Sequence, residues 1–170
     1  SVDRAITRPQ IYFGELPSTF ALAPSRQREF DHPAREGDEG VYSSYAGKAG
    51  VPIRSTLTKM LFALHFRSLN ILLSSDLSDS TRIIYFRNVR ERAEKALPFL
   101  RFDPDAYLVV SDSGHLVWIL DAYTATDRYP YSARMRDGTN YLRNSVKVTI
   151  DAYDGDIRAY LSDPADPMIN

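Results

Sequence analysis

The chain has 170 residues, 44% of them aliphatic or aromatic and 25% charged, with 21 Lys plus Arg against 22 Asp plus Glu. A chain of that length buries about 70% of the surface it exposes when unfolded; its apolar content with so balanced a charge argues against disorder, and the charge balance argues against nucleic acid as a partner. The absence of cysteine excludes disulfides, thiolate metal sites and cysteine nucleophiles, and no run reaches the roughly 18 to 20 apolar residues of a membrane span.

The opening "SVDRAITRPQ" starts on Ser1 and is too charged and proline-broken for a secretory leader, so the chain reads as a soluble piece of something longer. "IYFGEL" (Ile11 to Leu16) mixes β-formers with a glycine before Pro17 and predicts a short edge strand, and "FALA" (Phe20 to Ala23) a second one. Ala23 to Gly50, with its prolines and the charged patch "HPAREGDEG", reads as a long loop.

From Pro52 the period becomes helical. Leu57, Met60, Leu61, Leu64, Ser68 and Leu72 recur at spacings of three and four and predict an inward stripe, with Pro52 in the first turn. A second helix is expected to start at Ser78 or Asp79, to bury Ile83, Ile84, Val89, Ala93, Ala96 and Leu97, and to end at Pro98. Its other side pairs Arg87 with Glu91, Arg90 with Glu94 and Glu91 with Lys95, the pattern of a solvated face.

After residue 106 the period is two. "AYLVVS", a turn at "DSGH" and "LVWILDAY" predict a hairpin whose second strand is apolar on both faces and therefore central. "NSVKVTIDAY" alternates, with Val146, Val148, Ile150 and Ala152 inward. Across Asp154-Gly155, read as a type I′ turn, Ile157, Ala159 and Leu161 continue that face. The fold class is therefore α+β: an antiparallel sheet of about four to six strands with two or three helices on one face, in a single domain. Residues 1–52 supply edge strand and loop, 53–100 helices, and 106–162 hairpins.

Two copies of "DAY", at Asp121 to Tyr123 and Asp151 to Tyr153, read as a strand, an edge tyrosine and a turn used twice. Their carboxylates also suggest a cation site at Asp151, Asp154 and Asp156, although "DAYDGD" lacks the spacing and the glutamate of a helix-loop-helix calcium loop. His32, His65 and His115 stand apart without ligand spacing. "AGKAG" is no phosphate loop, because Gly40 and Gly47 are seven apart where five is required. The pairs Asp103 with Asp105 and Asp163 with Asp166 are interleaved with proline and read as loop punctuation. No catalytic residue and no cofactor is assigned.

Of eleven tyrosines, several fall in "TDRYPYS" and "NYLRNS". Tyr and Arg combine rigid contact area with a polar tip, so Asp127, Arg128, Tyr129, Tyr131, Tyr141 and Arg143 form a candidate recognition surface, the alternative being that they pin a long loop to the sheet.

"PQIYFGELP", "EFDHP", "YAGKAGVPI", "LFALHF", "RNVRERAEKALPFL", "DPDAYLVV", "ILDAYTATDRYPYS" and "NYLRNSVKVTIDAYDG" together resemble an uncharacterised "UPF" family of large bacterial multi-span membrane proteins. The resemblance runs from about Pro9 to Pro167. It implies a piece of the soluble region that follows the spans, a setting outside the cytoplasm, attachment to the cell membrane through the absent spans, and an envelope protein or peptide as partner. It supplies no catalytic residue. A helix followed by hairpins of the form V-x-I-D-A-x-x-G-x-I is also similar to the small PepSY type of extracytoplasmic module, which implies regulation of a peptidase. The function expected is thus a non-catalytic binding or assembly module. The alternatives are a metal-dependent hydrolase or calcium-binding domain using the aspartates of 121–127 and 151–156, and a PepSY-like module.

Overall fold

The structure is a computed structural model and describes residues 5–16, 19–25, 29–32, 41–74 and 77–169. The chain divides into two compact units, one formed by Ser1–Pro17 with Arg87–Asn170 and the other by Ser18–Phe86. The class is α+β, with antiparallel sheets and three helices among the described residues.

In the unit of Ser18–Phe86, a three-stranded sheet has the order β1 (Phe20–Ala23), β5 (Arg82–Tyr85), β4 (Val51–Pro52). The expected strand at Phe20 is present. The expected helix from Ser78 is not: Ile83 and Ile84 are fully buried in β5, the middle strand. A strand with both neighbours in place presents adjacent apolar residues to two covered faces, which looks like a helix fragment in sequence. Ser78, Ser80 and Thr81 bond one another through their hydroxyls, and Thr81 Oγ1 donates to the Pro24 carbonyl at 2.8 Å, so this stretch closes a turn into β5. The loop expected over 23–50 contains a hairpin, β2 (Glu29–His32) with β3 (Val41–Ser43), while residues 33–40 between them lie outside the described residues.

Pro52 belongs to β4 and not to a first helical turn. Helix α1 (Thr56–His65) begins after Ser55, whose hydroxyl accepts the Thr58 amide at 3.1 Å. The apolar stripe read as inward faces outward: Leu57, Met60, Leu61 and Leu64 are all exposed. The buried side is Ala63 with the half-buried Phe62 and Phe66, packed with Ile53, Ile71 and Ile83, and with Ile71 coming from the short α2 (Asn70–Leu73).

In the other unit, β6 (Arg101–Phe102) and β7 (Tyr107–Val110) share one edge of the long central β8 (Leu116–Thr126), and β9 (Tyr141–Asp151) holds the other edge. Among the described residues β10 (Ile157–Leu161) pairs only with β9, at the end of the five-stranded sheet. The centrality of β8 and the alternation of β9 stand as expected, with Leu120, Ala122, Val148, Ile150 and Ala152 fully buried. Helix α3 (Val89–Ala96) is capped by Asn88, which accepts the Glu91 amide at 2.9 Å, and its Val89 and Ala93 are fully buried. Arg90 and Glu94 pair on its outer side as expected, whereas Arg87 turns away to donate to the Tyr12 carbonyl.

Ile11 to Leu16 is not a strand, and its one sheet-like contact is an isolated bridge between Gly14 and Asn88. The segment wedges Phe13, only 1% exposed, against the sheet end. The Phe13 and Tyr12 amides donate to the Ala152 carbonyl, and the Trp118 indole donates to the Phe13 carbonyl at 2.8 Å. The ring lies against Gly155, with the Arg92 guanidinium 4.6 Å from its centroid.

Gly155 also corrects the expected type I′ turn, which needs positive φ at both central residues. Gly155 has φ 67 but Asp154 does not share that sign, and the connection runs from Asp151 to Asp156. The Asp151 carboxylate accepts the Tyr153 and Asp154 amides at 2.9 and 2.8 Å and so closes that loop. A Cβ on Gly155 would stand 2.6 Å from the Phe13 ring, so close contact and positive φ both demand glycine. Gly155→Ala is expected to cost about 3 kcal/mol in urea denaturation, and less in a Phe13→Ala background, where the steric part is gone.

Candidate binding surface

β8 and β9 run beyond the apolar core as a paired arm, and where they leave it the register slips between Ala122 and Thr124. A bulge puts two residues of one strand opposite one of the other, and here it buries Ser145 and Val146 in succession. Thr124 and Ser145 thereby face the same side, where Asp166 is fully buried.

Asp166 is the anchor of this end of the molecule. Its Oδ2 accepts the Thr124 hydroxyl at 2.5 Å and, in a still shorter bond, the Ser145 hydroxyl. Its Oδ1 accepts the Tyr141 hydroxyl at 2.6 Å and the Met168 amide at 2.9 Å. Burial by itself would raise the pKa of such a carboxyl. The bonds from Ser145, Thr124, Tyr141 and the Met168 amide outweigh it and hold the group below the usual carboxylate range. Burial pushes the Tyr141 hydroxyl up, and so does its bond to Asp166. The expectation that Asp166 merely punctuates a loop is thus corrected: this turn folds around it. Its hydroxyl partners lie 42, 25 and 21 residues away, so no local pattern reveals the cluster.

The six Tyr/Arg-loop residues gather at this end and divide into two groups. Tyr129 stacks on Tyr141 with ring centroids 4.6 Å apart, and Arg143 pairs with Asp163 at 2.5 Å. The Asn140 side chain both accepts from and donates to the Tyr129 backbone. These contacts brace the arm. Asp127, Arg128 and Tyr131 stand at its tip, with Arg128 3.8 Å from Asp127 and Tyr131 fully exposed at a positive φ of 59. Nearby, Asp137 is drawn down to about 2 by its bond from Arg101 and its bonds from Thr139.

Beside the arm lies an open apolar groove of about 560 Å³. The face of β10 expected to point inward is not covered by the described residues: Ile157 is half-buried and Ala159 and Leu161 are exposed. Ala159 and Leu161 form one wall, Leu97 and Phe99 another, and Met168 and Ile169, carried past Asp166, a third. Thr124 and Ala125 of β8 lie at its floor, so groove and arm share one strand.

The aspartates considered for metal are spread over different partners. Asp151 is committed to two loop amides, Asp154 stands 3.9 Å from Arg8, Asp156 is exposed, Asp121 pairs with Lys147, and Asp127 faces Arg128. Among the described residues no group of three or more His, Asp or Glu side chains is arranged to hold a metal ion. On the opposite face of the sheet, a polar cleft of about 400 Å³ brings His115 Nδ1 to 4.0 Å from Asp151. Ser111 and Ser113 in that cleft bond to each other, and Ser111 accepts the backbone amide of His115, which leaves neither addressed by the imidazole.

A folded pKa held below the unfolded value gives stability that is fully present above the unfolded pKa of about 4 and is lost as pH falls on through the folded pKa. Asp166→Asn keeps the shape but removes the charge and one acceptor. It is expected to cost about 2 kcal/mol at neutral pH and to flatten the acid limb of stability measured by urea denaturation from pH 7 downward.

The chain matches, over residues 1–170, a family described as "Uncharacterised protein family (UPF0182)". UPF0182 proteins of Geobacter sp. strain M21, Geotalea uraniireducens and Pelotomaculum thermopropionicum are 50%, 49% and 42% identical to it over 167 residues. Those residues are 98% of this chain but 18% of each relative, so the chain spans about a fifth of the length of the curated relatives it matches. No solved structure matches. With a family model covering its whole length, the chain belongs to the UPF0182 family.

Proposed function

We propose that the chain is a non-catalytic binding or assembly module of a larger, multi-span envelope protein, lying outside the cytoplasm. In this reading the groove beside β10 takes an extended segment of a protein or peptide partner. The observation that carries the proposal is the open apolar groove itself, walled by an edge strand. An edge strand offers unpaired backbone groups to an incoming strand, and alternate side chains such as Ala159 and Leu161 offer sites for apolar residues of that segment. The exposed Arg128 and Tyr131 at the arm tip supply the polar and aromatic contacts that set the partner's direction. Anchoring by Asp166 gives the groove a fixed wall, which lowers the cost of ordering on binding.

Panning a random peptide display library on the chain is expected to enrich sequences with alternating apolar residues. Their affinity should fall about tenfold or more with Phe99→Asp or Leu161→Asp, both at exposed positions, and less with Tyr131→Ala, while the melting midpoint stays in place. Enrichment of peptides indifferent to these changes overturns the reading. A thermal melt with calcium, magnesium, zinc or EDTA separates it from the metal-dependent alternative: no shift is expected, whereas a raised midpoint abolished by Asp151→Ala or Asp154→Ala favours the metal site.

A further inference from the structure

Helix α1 carries large apolar residues on its outer side as well as on its inner one. Its inner residues Phe62, Ala63 and Phe66 close the core of their unit, yet Leu57, Met60, Leu61 and Leu64 point away from it, and Leu69, Leu72 and Leu73 continue the outer face through α2. Exposures on this face run from 37% at Leu72 to 78% at Leu64. Most of these side chains line one open cleft of about 580 Å³. Single exposed leucines need no explanation, but a contiguous patch of this kind marks a surface that something covers, and a helix apolar on both sides is normally covered on both.

Charge identifies the cover. From Val41 to Ser75 the sequence has no Asp or Glu, whereas Lys48, Arg54, Lys59 and Arg67 all fall within it. Arg67 lines the cleft and His65 closes the last turn of α1. Among the described residues, Arg54 and Arg67 meet no carboxylate, while Lys59 lies half-buried on the side of α1 that carries Phe62 and Ala63. A second copy of the chain would set this positive rim against itself, and a neutral apolar segment would leave it without counterpart. An anionic bilayer answers both features, because leucine side chains enter the boundary between headgroups and acyl chains while Lys and Arg reach the phosphates.

We propose that the outer face of α1 and α2 docks on an anionic lipid surface, with Leu57, Met60, Leu61, Leu64 and Leu69 inserted and Arg54 and Arg67 on headgroup phosphates. This site lies in the unit of Ser18–Phe86 and is independent of the groove beside β10.

Cosedimentation of the whole chain with vesicles tests it. Mixed phosphatidylglycerol and phosphatidylcholine vesicles are expected to carry the chain down, pure phosphatidylcholine vesicles to do so far less, and high salt to release it. Arg54→Gln with Arg67→Gln should weaken binding about fivefold for each charge removed, and Leu61→Ser with Leu64→Ser by at least about tenfold. Both leucines are exposed, so an unchanged melting midpoint will show that their variant still folds. Equal binding to both vesicle types, or binding to neither, overturns the proposal. So does a concentration-dependent dimer that the two serine changes abolish in the absence of vesicle binding.

Discussion

A carboxylate sealed from water must be given hydrogen bonds, and Asp166 draws its own from Thr124 on β8, from Tyr141 and Ser145 on β9, and from the Met168 amide. Two hydroxyls from neighbouring strands reach one carboxylate oxygen because a bulge brings both to the same face. The same contacts hold the Tyr141 ring where Tyr129 stacks on it, and they carry the chain on so that Met168 and Ile169 wall the groove. Arm, groove and final turn are thus three outcomes of a single buried charge, and removing it would loosen all of them together.

The sheet built around β8 was legible in the sequence because its physical cause is local. Alternation from Val146 to Ala152 and the two-faced apolar run of β8 are direct signatures of pleated strands with one or two covered faces. The helical stretch was half legible. Spacings of three and four correctly report a helix at α1, but periodicity marks a face without saying which neighbour it meets, and here Phe62 and Phe66 won the core over Leu57 and Leu61. At Ile83 and Ile84 a short apolar run carried no period at all, so its membership of a three-stranded sheet depended on β1 and β4, which are distant in sequence.

The candidate site was less legible for the same reason. Tyrosine density drew attention to one end of the arm, yet composition does not distinguish Tyr141, whose hydroxyl is spent on Asp166, from Tyr131, which stands in water. "DPADP" has the composition of a turn and is one, but a turn nucleated by a buried acid looks like any other until the strands that supply its donors are in place.

The bridge between Gly14 and Asn88 has a consequence for how such a chain is assembled. The Gly14 amide donates to the Arg87 carbonyl and the Val89 amide to the Gly14 carbonyl, so the two ends of the interruption Ser18–Phe86 leave the host unit at adjacent points. That is the geometry of an insertion. On the ribosome the host unit stays open until Ala152 and Gly155 emerge to receive Tyr12 and Phe13, while the inserted residues already hold every strand of their own sheet. The host unit thus closes the break in its own sequence through the backbone of Gly14, Arg87 and Val89.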